Sequence, residues 1–188
     1  MLLNFNLFLY ICKKQNKMSH KEKQLKVYLA ASMDNDKRDK MYEAINILRI
    51  KGLDVYAPVE HKITNAWDYP NDEWGLMVFQ NDINAINESN FLVLLSWGRH
   101  STAGANWEAG YAFGTGIKVI VVEMGMEPIE KDFGLLGRQI QETIVPPKEV
   151  PMSLMVANGR YATVKGLHGL EEYDFNNPTP TRTKTEQQ

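Results

Sequence analysis

Phe91-Leu92-Val93-Leu94-Leu95 is an almost continuously apolar run. Its short length suits a strand, and the lack of polar alternation implies burial on both faces, hence a central place in a parallel sheet. Before it, residues from about Trp74 to Asn87 have the length and period of a helix. After it come a loop over Gly98–Ala103, a short helix over Gly104–Phe113 and the β-branched run Lys118–Val122, with Gly114 and Gly116 punctuating the turn. Upstream, Val27–Ala31 and Leu53–Ala57 read as strands, the second ended by Pro58. Between them lies a helix that Asn35 or Asp36 can cap, whose apolar positions Met41, Ala44, Ile45 and Leu48 follow helical spacing up to Gly52. Strands alternating with helices predict an α/β fold: a flavodoxin-like or Rossmann-like open parallel sheet of about five strands with helices on both faces. In such sheets a ligand is expected beyond the carboxyl ends of the strands, where strand order reverses.

The rest of the chain is less regular. Glu60–Glu73 lacks a period but holds Trp67, Tyr69 and Pro70, which suits a loop that covers something. Between Met124 and Pro151 Gly, Pro and charged residues interrupt every period, and Met152–Ala157 and Tyr161–Val164 are expected as a last helix or strand. From Asn176 onward Pro, Thr and Lys dominate with nothing apolar to bury, which predicts disorder. The expected organisation is an N-terminal extension over 1–25, one domain over 26–175 and a tail over 176–188. Leu2–Cys12 is apolar but falls short of the roughly 20 residues that cross a bilayer. No basic residue precedes it and no small-residue cleavage site follows. Translation from Met18 is the favoured expectation, with an interfacial anchor or an atypical signal as the other.

Composition narrows the partners. A formal charge of -2, from interspersed acids and bases, leaves no footprint for nucleic acid or an anionic membrane, and a small ligand is expected. Cys12 is the only cysteine, so an intramolecular disulfide and a cysteine-based zinc site are excluded and a cytoplasmic location is expected. His61, His100 and His168 lie in separate segments without ligand-like spacing. Gly110, Gly114 and Gly116 follow a helix start instead of preceding it, so the dinucleotide-binding pattern is absent. Neither metal nor cofactor is expected.

Two carboxylates attract attention. Asp82 lies on a helical face with Val78, Phe79 and Ile86, so it is expected to point at the core, where desolvation keeps a proton on it. A helix acid that turns to solvent or caps a neighbouring backbone group is the other reading. Glu108 lies early in Gly104-Ala105-Asn106-Trp107-Glu108-Ala109-Gly110-Tyr111-Ala112, near a helix N-terminus whose partial charge favours the ionised form. Ala105, Ala109 and Ala112 leave room beside it for a substrate carbon; an acid that merely complements the helix dipole is the alternative. One protonated and one ionised acid suit displacement at an anomeric carbon, with one attacking C1′ while the other protonates the leaving group.

At these residues the chain resembles the nucleoside 2-deoxyribosyltransferase family. The resemblance rests on Val27-Tyr28, Asn81-Asp82-Ile83, Asn90 opening a strand, Glu108-Ala109-Gly110-Tyr111-Ala112 and Gly116-Ile117-Lys118-Val119, with no gap between Asp82 and Glu108. It extends from Lys26 to about Val122, with a weaker echo at Tyr173-Asp174-Phe175-Asn176. It implies that Glu108 is the nucleophile of a covalent deoxyribosyl intermediate, that Asp82 protonates the departing base and deprotonates the incoming one, and that the Tyr28 hydroxyl orients the nucleophile. Nucleosides or nucleotides and free nucleobases would be the partners. Thr102 replaces the acid that transferases of this family carry six residues before the nucleophile, so sugar recognition is expected to differ. The stretch Arg99-His100-Ser101-Thr102, with Gly104 at the helix start, is what a phosphate would seek, and related enzymes hydrolyse nucleoside 5′-monophosphates. Lys62 or His61 falls where the family has a base-contacting glutamine. Asn158, or alternatively Thr163, falls where a neighbouring subunit supplies an asparagine, which would make the protein a homo-oligomer. Transfer between bases is the first expectation, hydrolysis of a nucleoside 5′-monophosphate the second, and a non-catalytic nucleotide-binding module on the same fold the third.

Overall fold

The computed structural model describes residues 24–98, 103–125 and 154–181. Five parallel strands are formed: β1 (Lys26–Ala30), β2 (Asp54–Tyr56), β3 (Phe91–Ser96), β4 (Lys118–Glu123) and β5 (Ala162–Lys165). Their order across the sheet is β2-β1-β3-β4-β5, the flavodoxin-like arrangement, so strand order reverses between β1 and β3. The intervening helices are α1 (Arg38–Ile50), α2 (Asn71–Glu88), α3 (Ala103–Gly114) and α4 (Leu154–Gly159), with α5 (Gly166–Glu172) after β5. None of the described helices is long and apolar enough to cross a membrane.

Two-residue periodicity sorts the core into two layers. On one face Val27, Leu29, Val55, Phe91, Val93, Leu95, Ile120 and Val122 pack with Met41, Ala44, Ile45 and Leu48 of α1 and with Leu167 and Leu170 of α5. On the other, Tyr28, Ala30, Leu92, Leu94, Val119 and Val121 pack with Ile86 of α2, Ala105, Ala109 and Ala112 of α3, and Val156 of α4. β3 is buried along its whole length, as its uninterrupted apolar run implied. The alanines matter on the second face. Small side chains let α3 lie close over β1, β3 and β4, and that brings its other residues to the carboxyl ends of the strands.

Several boundaries differ from expectation. α2 starts at Asn71, directly after Pro70, whose own backbone is extended. Of the two stretches expected as a last helix or strand, the described part of the first is helical in α4 (Leu154–Gly159) and the second forms β5 (Ala162–Lys165), while α5 was not anticipated. The extension was expected to run through residue 25, yet Gln24 donates to the Gly52 carbonyl at 2.9 Å and the Leu25 carbonyl accepts from Asp54 at 2.9 Å. The tail was expected to be disordered from Asn176, yet residues 176–181 are tied to the open side of β5. Thr181 Oγ1 accepts from the Thr163 amide at 3.0 Å, and the Tyr161 hydroxyl donates to the Pro178 carbonyl at 2.9 Å. These polar groups meet an edge strand that would otherwise stand unpaired, which hydrophobicity alone does not reveal. The N-terminal extension expected over residues 1–23, the irregular stretch at 126–153 and the end of the tail at 182–188 lie outside the described residues.

Because Leu94 is fully buried in the central strand, Leu94→Ala is expected to lower the unfolding free energy by about 2–5 kcal/mol in a denaturant titration. A loss under about 1 kcal/mol would contradict the two-sided burial of β3.

Candidate active site

β1 and β2 pair in register, Tyr28 opposite Tyr56. Their rings therefore share a face of the sheet and stack with centroids 5.5 Å apart and planes 15° from parallel. Each hydroxyl meets one carboxylate. Tyr28 donates to Glu108 Oε1 at 3.0 Å, and Tyr56 donates to Asp82 Oδ1 at 3.2 Å. His61, just beyond β2, stacks on the outer side of Tyr56 at 4.0 Å with planes 4° apart. The turn that carries His61 is anchored to α1, because Arg49 grips Glu60 with two hydrogen bonds of 2.9 and 2.6 Å.

Asp82 on α2 and Glu108 on α3 both line a cavity of about 1030 Å³ at the carboxyl ends of β1 and β2. The volume suits a ligand of nucleotide size, since small-molecule sites span roughly 300–1,000 Å³. Met33 and Ala31 after β1, Tyr56 and Pro58 at the end of β2, and Gly104 and Ala105 at the start of α3 line its floor and walls. The segment expected to cover something does border this space: Lys62, Ile63, Asn65, Ala66, Trp67 and Tyr69 all line it. Trp67 stands 99% exposed, so its indole presents a solvent-facing apolar surface at the rim. Asn65 holds a left-handed backbone (φ 55°), which lets the segment reverse there. Arg38 and Lys62 also line the cavity, and neither pairs with a carboxylate among the described residues. No three His, Cys, Asp or Glu side chains among the described residues come together as a metal-ligand group.

The acids differ from expectation in their electrostatics. Burial pushes the Glu108 carboxyl up to about 7; the Tyr28 hydrogen bond pulls the other way, and the nearby Asp82 charge raises it further. The helix dipole was expected to keep Glu108 ionised, but its effect falls off within the first turn and α3 begins at Ala103, more than one turn before Glu108. Desolvation wins instead. Burial also raises Asp82, opposed by the Tyr56 hydrogen bond and by His61. Burial, with Glu108 and Asp82 nearby, lifts the Tyr28 phenol far above its ordinary range, so it stays a donor at any ordinary pH. Tyr56 is pushed up to about 12, chiefly by burial and then by Asp82. Asp82 itself is half-buried. Ile86 is buried as expected, but Phe79 turns outward, half-exposed, against Trp107.

The other anticipated residues are distributed unevenly. Gly104 and Lys62 line the cavity, whereas Tyr28 is fully buried beneath Glu108 and does not reach the lining. Asn158 is exposed on α4 and lies outside the lining of its own chain's cavity. Ser101 and Thr102, with Arg99 and His100, lie outside the described residues. Sequence reasoning missed Tyr56 and Arg38. Nothing in a strand as short as β2 reveals which of its residues pairs with Tyr28, and Arg38 is an ordinary surface arginine by local pattern.

The sequence profile of nucleoside 2-deoxyribosyltransferases matches residues 27–155, well over half of the chain. The protein belongs to this family. The fold of the 2-deoxyribosyltransferase from the psychrotolerant bacterium Bacillus psychrosaccharolyticus superposes with a TM-score of 0.61 at 21% identity, covering 84% of this chain and 99% of that one. A conserved protein from Enterococcus faecalis V583 superposes with a TM-score of 0.54 at 22% identity, over 80% and 96% of the two chains. The CMP N-glycosidase of Clostridium botulinum aligns less extensively, over 62% of this chain and 81% of that one, at 20% identity and a TM-score of 0.39. No curated protein sequence matches the chain. The family is named for glycosyl transfer on nucleosides, and this chain is an enzyme of that broad type.

A carboxyl raised to about 7 carries a stability cost at higher pH. Between about 4.5 and 7 the folded chain holds a proton that the unfolded chain has lost, so stability falls as pH rises through that window. Glu108→Gln is therefore expected to match the parent near pH 4 and to be more stable at pH 8, by roughly 2–3 kcal/mol. Urea titrations at the two pH values check this; equal stability at both would contradict the shift.

Proposed function

We propose that the enzyme breaks the N-glycosidic bond of a nucleoside through a covalent glycosyl-Glu108 intermediate and passes the sugar to a second nucleobase. The observation that carries this reading is the pair of carboxylates, each held by a tyrosine hydroxyl, bordering one cavity. Ionised Glu108 attacks C1′ as the bond to the base nitrogen breaks. The bonding electrons leave on the base, and protonated Asp82 supplies the proton that neutralises it. In the return step the ionised Asp82 takes a proton from the incoming base, whose nitrogen displaces Glu108 from C1′. Two inversions restore the original configuration. Burial that raises both acids supports this chemistry, because a proton remains in the pair at a pH where free carboxylates have lost theirs. The buried Tyr28 hydroxyl holds Glu108 and leaves its second oxygen for the sugar.

Arg38 and Lys62 favour a second reading. Two cations on the lining, without a carboxylate partner among the described residues, suit a substrate that carries a 5′-phosphate, and with water as acceptor the same carboxylates would hydrolyse a nucleoside 5′-monophosphate. Lys62 contributes to binding in either reading, as do Gly104, Ser101 and Thr102. We assign Asn158 to the cavity of a neighbouring copy in a homo-oligomer; its exposure, outside its own chain's cavity, supports that role.

Incubation with a deoxynucleoside and a free acceptor base separates the readings. A new nucleoside is the expected product of transfer, base release confined to the 5′-monophosphate is that of hydrolysis, and neither product would eliminate both. Mass spectrometry of protein mixed with a deoxynucleoside is expected to find a sugar adduct on Glu108, absent in Glu108→Ala. Asp82→Asn is expected to slow base release by about 10²–10⁴-fold. Since the nucleophile must be ionised and its carboxyl sits at about 7, kcat/KM is expected to fall as pH drops below that value. A profile flat from pH 8 to pH 5 would remove Glu108 from the role.

A further inference from the structure

The geometry points to Tyr56 as the positioning residue of Asp82, a role that rests on the glycosidic reading of the two acids. Four contacts define it. The Tyr56 hydroxyl donates to Asp82 Oδ1 at 3.2 Å, and its ring is clamped between Tyr28 at 5.5 Å on one side and His61 at 4.0 Å on the other. β-Register with Tyr28 fixes its backbone. A ring sandwiched between two near-parallel neighbours has little freedom to swing, so its hydroxyl is a fixed point against which a carboxyl on a separate helix is oriented. The outer clamp is itself braced, since the Arg49–Glu60 pair ties the turn before His61 to α1.

The consequence for proton transfer follows from the direction of the bond. Tyr56 donates to one Asp82 oxygen and stabilises the ionised form, leaving the proton to be carried on the other oxygen. An unheld carboxyl could turn its protonated oxygen away from the base. Among the described residues, the groups that face Asp82 are Tyr56 from β2, His61 from the turn after it, and Glu108 and Tyr28 from α3 and β1, with Arg38 and Lys62 elsewhere on the same lining. Tyr56 alone of these is hydrogen-bonded to Asp82 among the described residues. It acts through Asp82 and need not touch the sugar or the base.

The test is Tyr56→Phe in the full-length chain, which keeps the ring and both stacks and removes only the donor. Expected are a kcat for base release lower by about ten- to a hundredfold with KM little changed, and an alkaline limb of the pH profile moved upward, because Asp82 loses a bond that favours its charge. Carbon-13 NMR titration of the Asp82 carboxyl, assigned by its loss in Asp82→Asn, reads the same upward shift without turnover. In an Asp82→Asn background, Tyr56→Phe is expected to cost nothing further. An unmoved Asp82 titration, or a full additive loss in the double variant, overturns the assignment even where base release persists. Wild-type protein that releases no base from a deoxynucleoside or its 5′-monophosphate overturns the glycosidic reading and the assignment with it.

Discussion

Parallel, in-register pairing of β1 with β2 is the constraint on which the site depends. It sets Tyr28 opposite Tyr56, so two phenol hydroxyls emerge side by side on one face of the sheet. A one-residue slip would send one ring to the opposite face and into the layer filled by Met41, Ile45 and Leu48. With the register as it is, one hydroxyl meets an acid from α3 and the other an acid from α2. The two carboxylates come from helices on the same side of the sheet, and among the described residues neither forms an ion pair with a lysine or arginine. Their environment is governed chiefly by burial, opposed by one tyrosine hydrogen bond each and, at Asp82, by His61, and both are shifted toward the neutral form.

Stability and chemistry compete at this point. A half-buried acid without a cationic partner costs folding free energy whenever it is ionised. The sheet offsets that cost through continuous apolar layers on both faces and a central strand buried from end to end. The small residues of α3 serve packing and access together, since Ala105, Ala109 and Ala112 bring the helix down on the sheet while Gly104 and Ala105 leave the cavity wall thin beside Glu108. Larger residues there would hold the carboxylate away from Tyr28.

The mouth of the cavity has a different character. Trp67, Tyr69 and Trp74 present aromatic surface, and Arg38 and Lys62 present charge, around an interior that holds the acids. Apolar faces at the rim and cations on the lining suit a ligand with a flat ring at one end and an anionic or strongly polar group at the other. That combination leaves both a free nucleoside and its 5′-monophosphate as substrates of the proposed chemistry.

Much of this was legible in the amino-acid order. The apolar run at 91–95, the β-branched run at 118–122 and the helical spacing of Met41, Ala44, Ile45 and Leu48 determine the α/β class, because burial periodicity is a local property of the chain. Asp82 and Glu108 stood out for the same reason, as acids among apolar neighbours. What the tertiary structure alone decided was pairing and environment. Tyr56 acquires its partner only when β2 aligns with β1, and Arg38 reaches the cavity only when α1 is docked on the sheet. The protonation of Glu108 turned on whether burial or the helix terminus prevailed, a balance set by depth in the fold. Contacts between residues distant in the chain carry no local signature, so order along the chain supplies the candidates and three-dimensional packing selects among them.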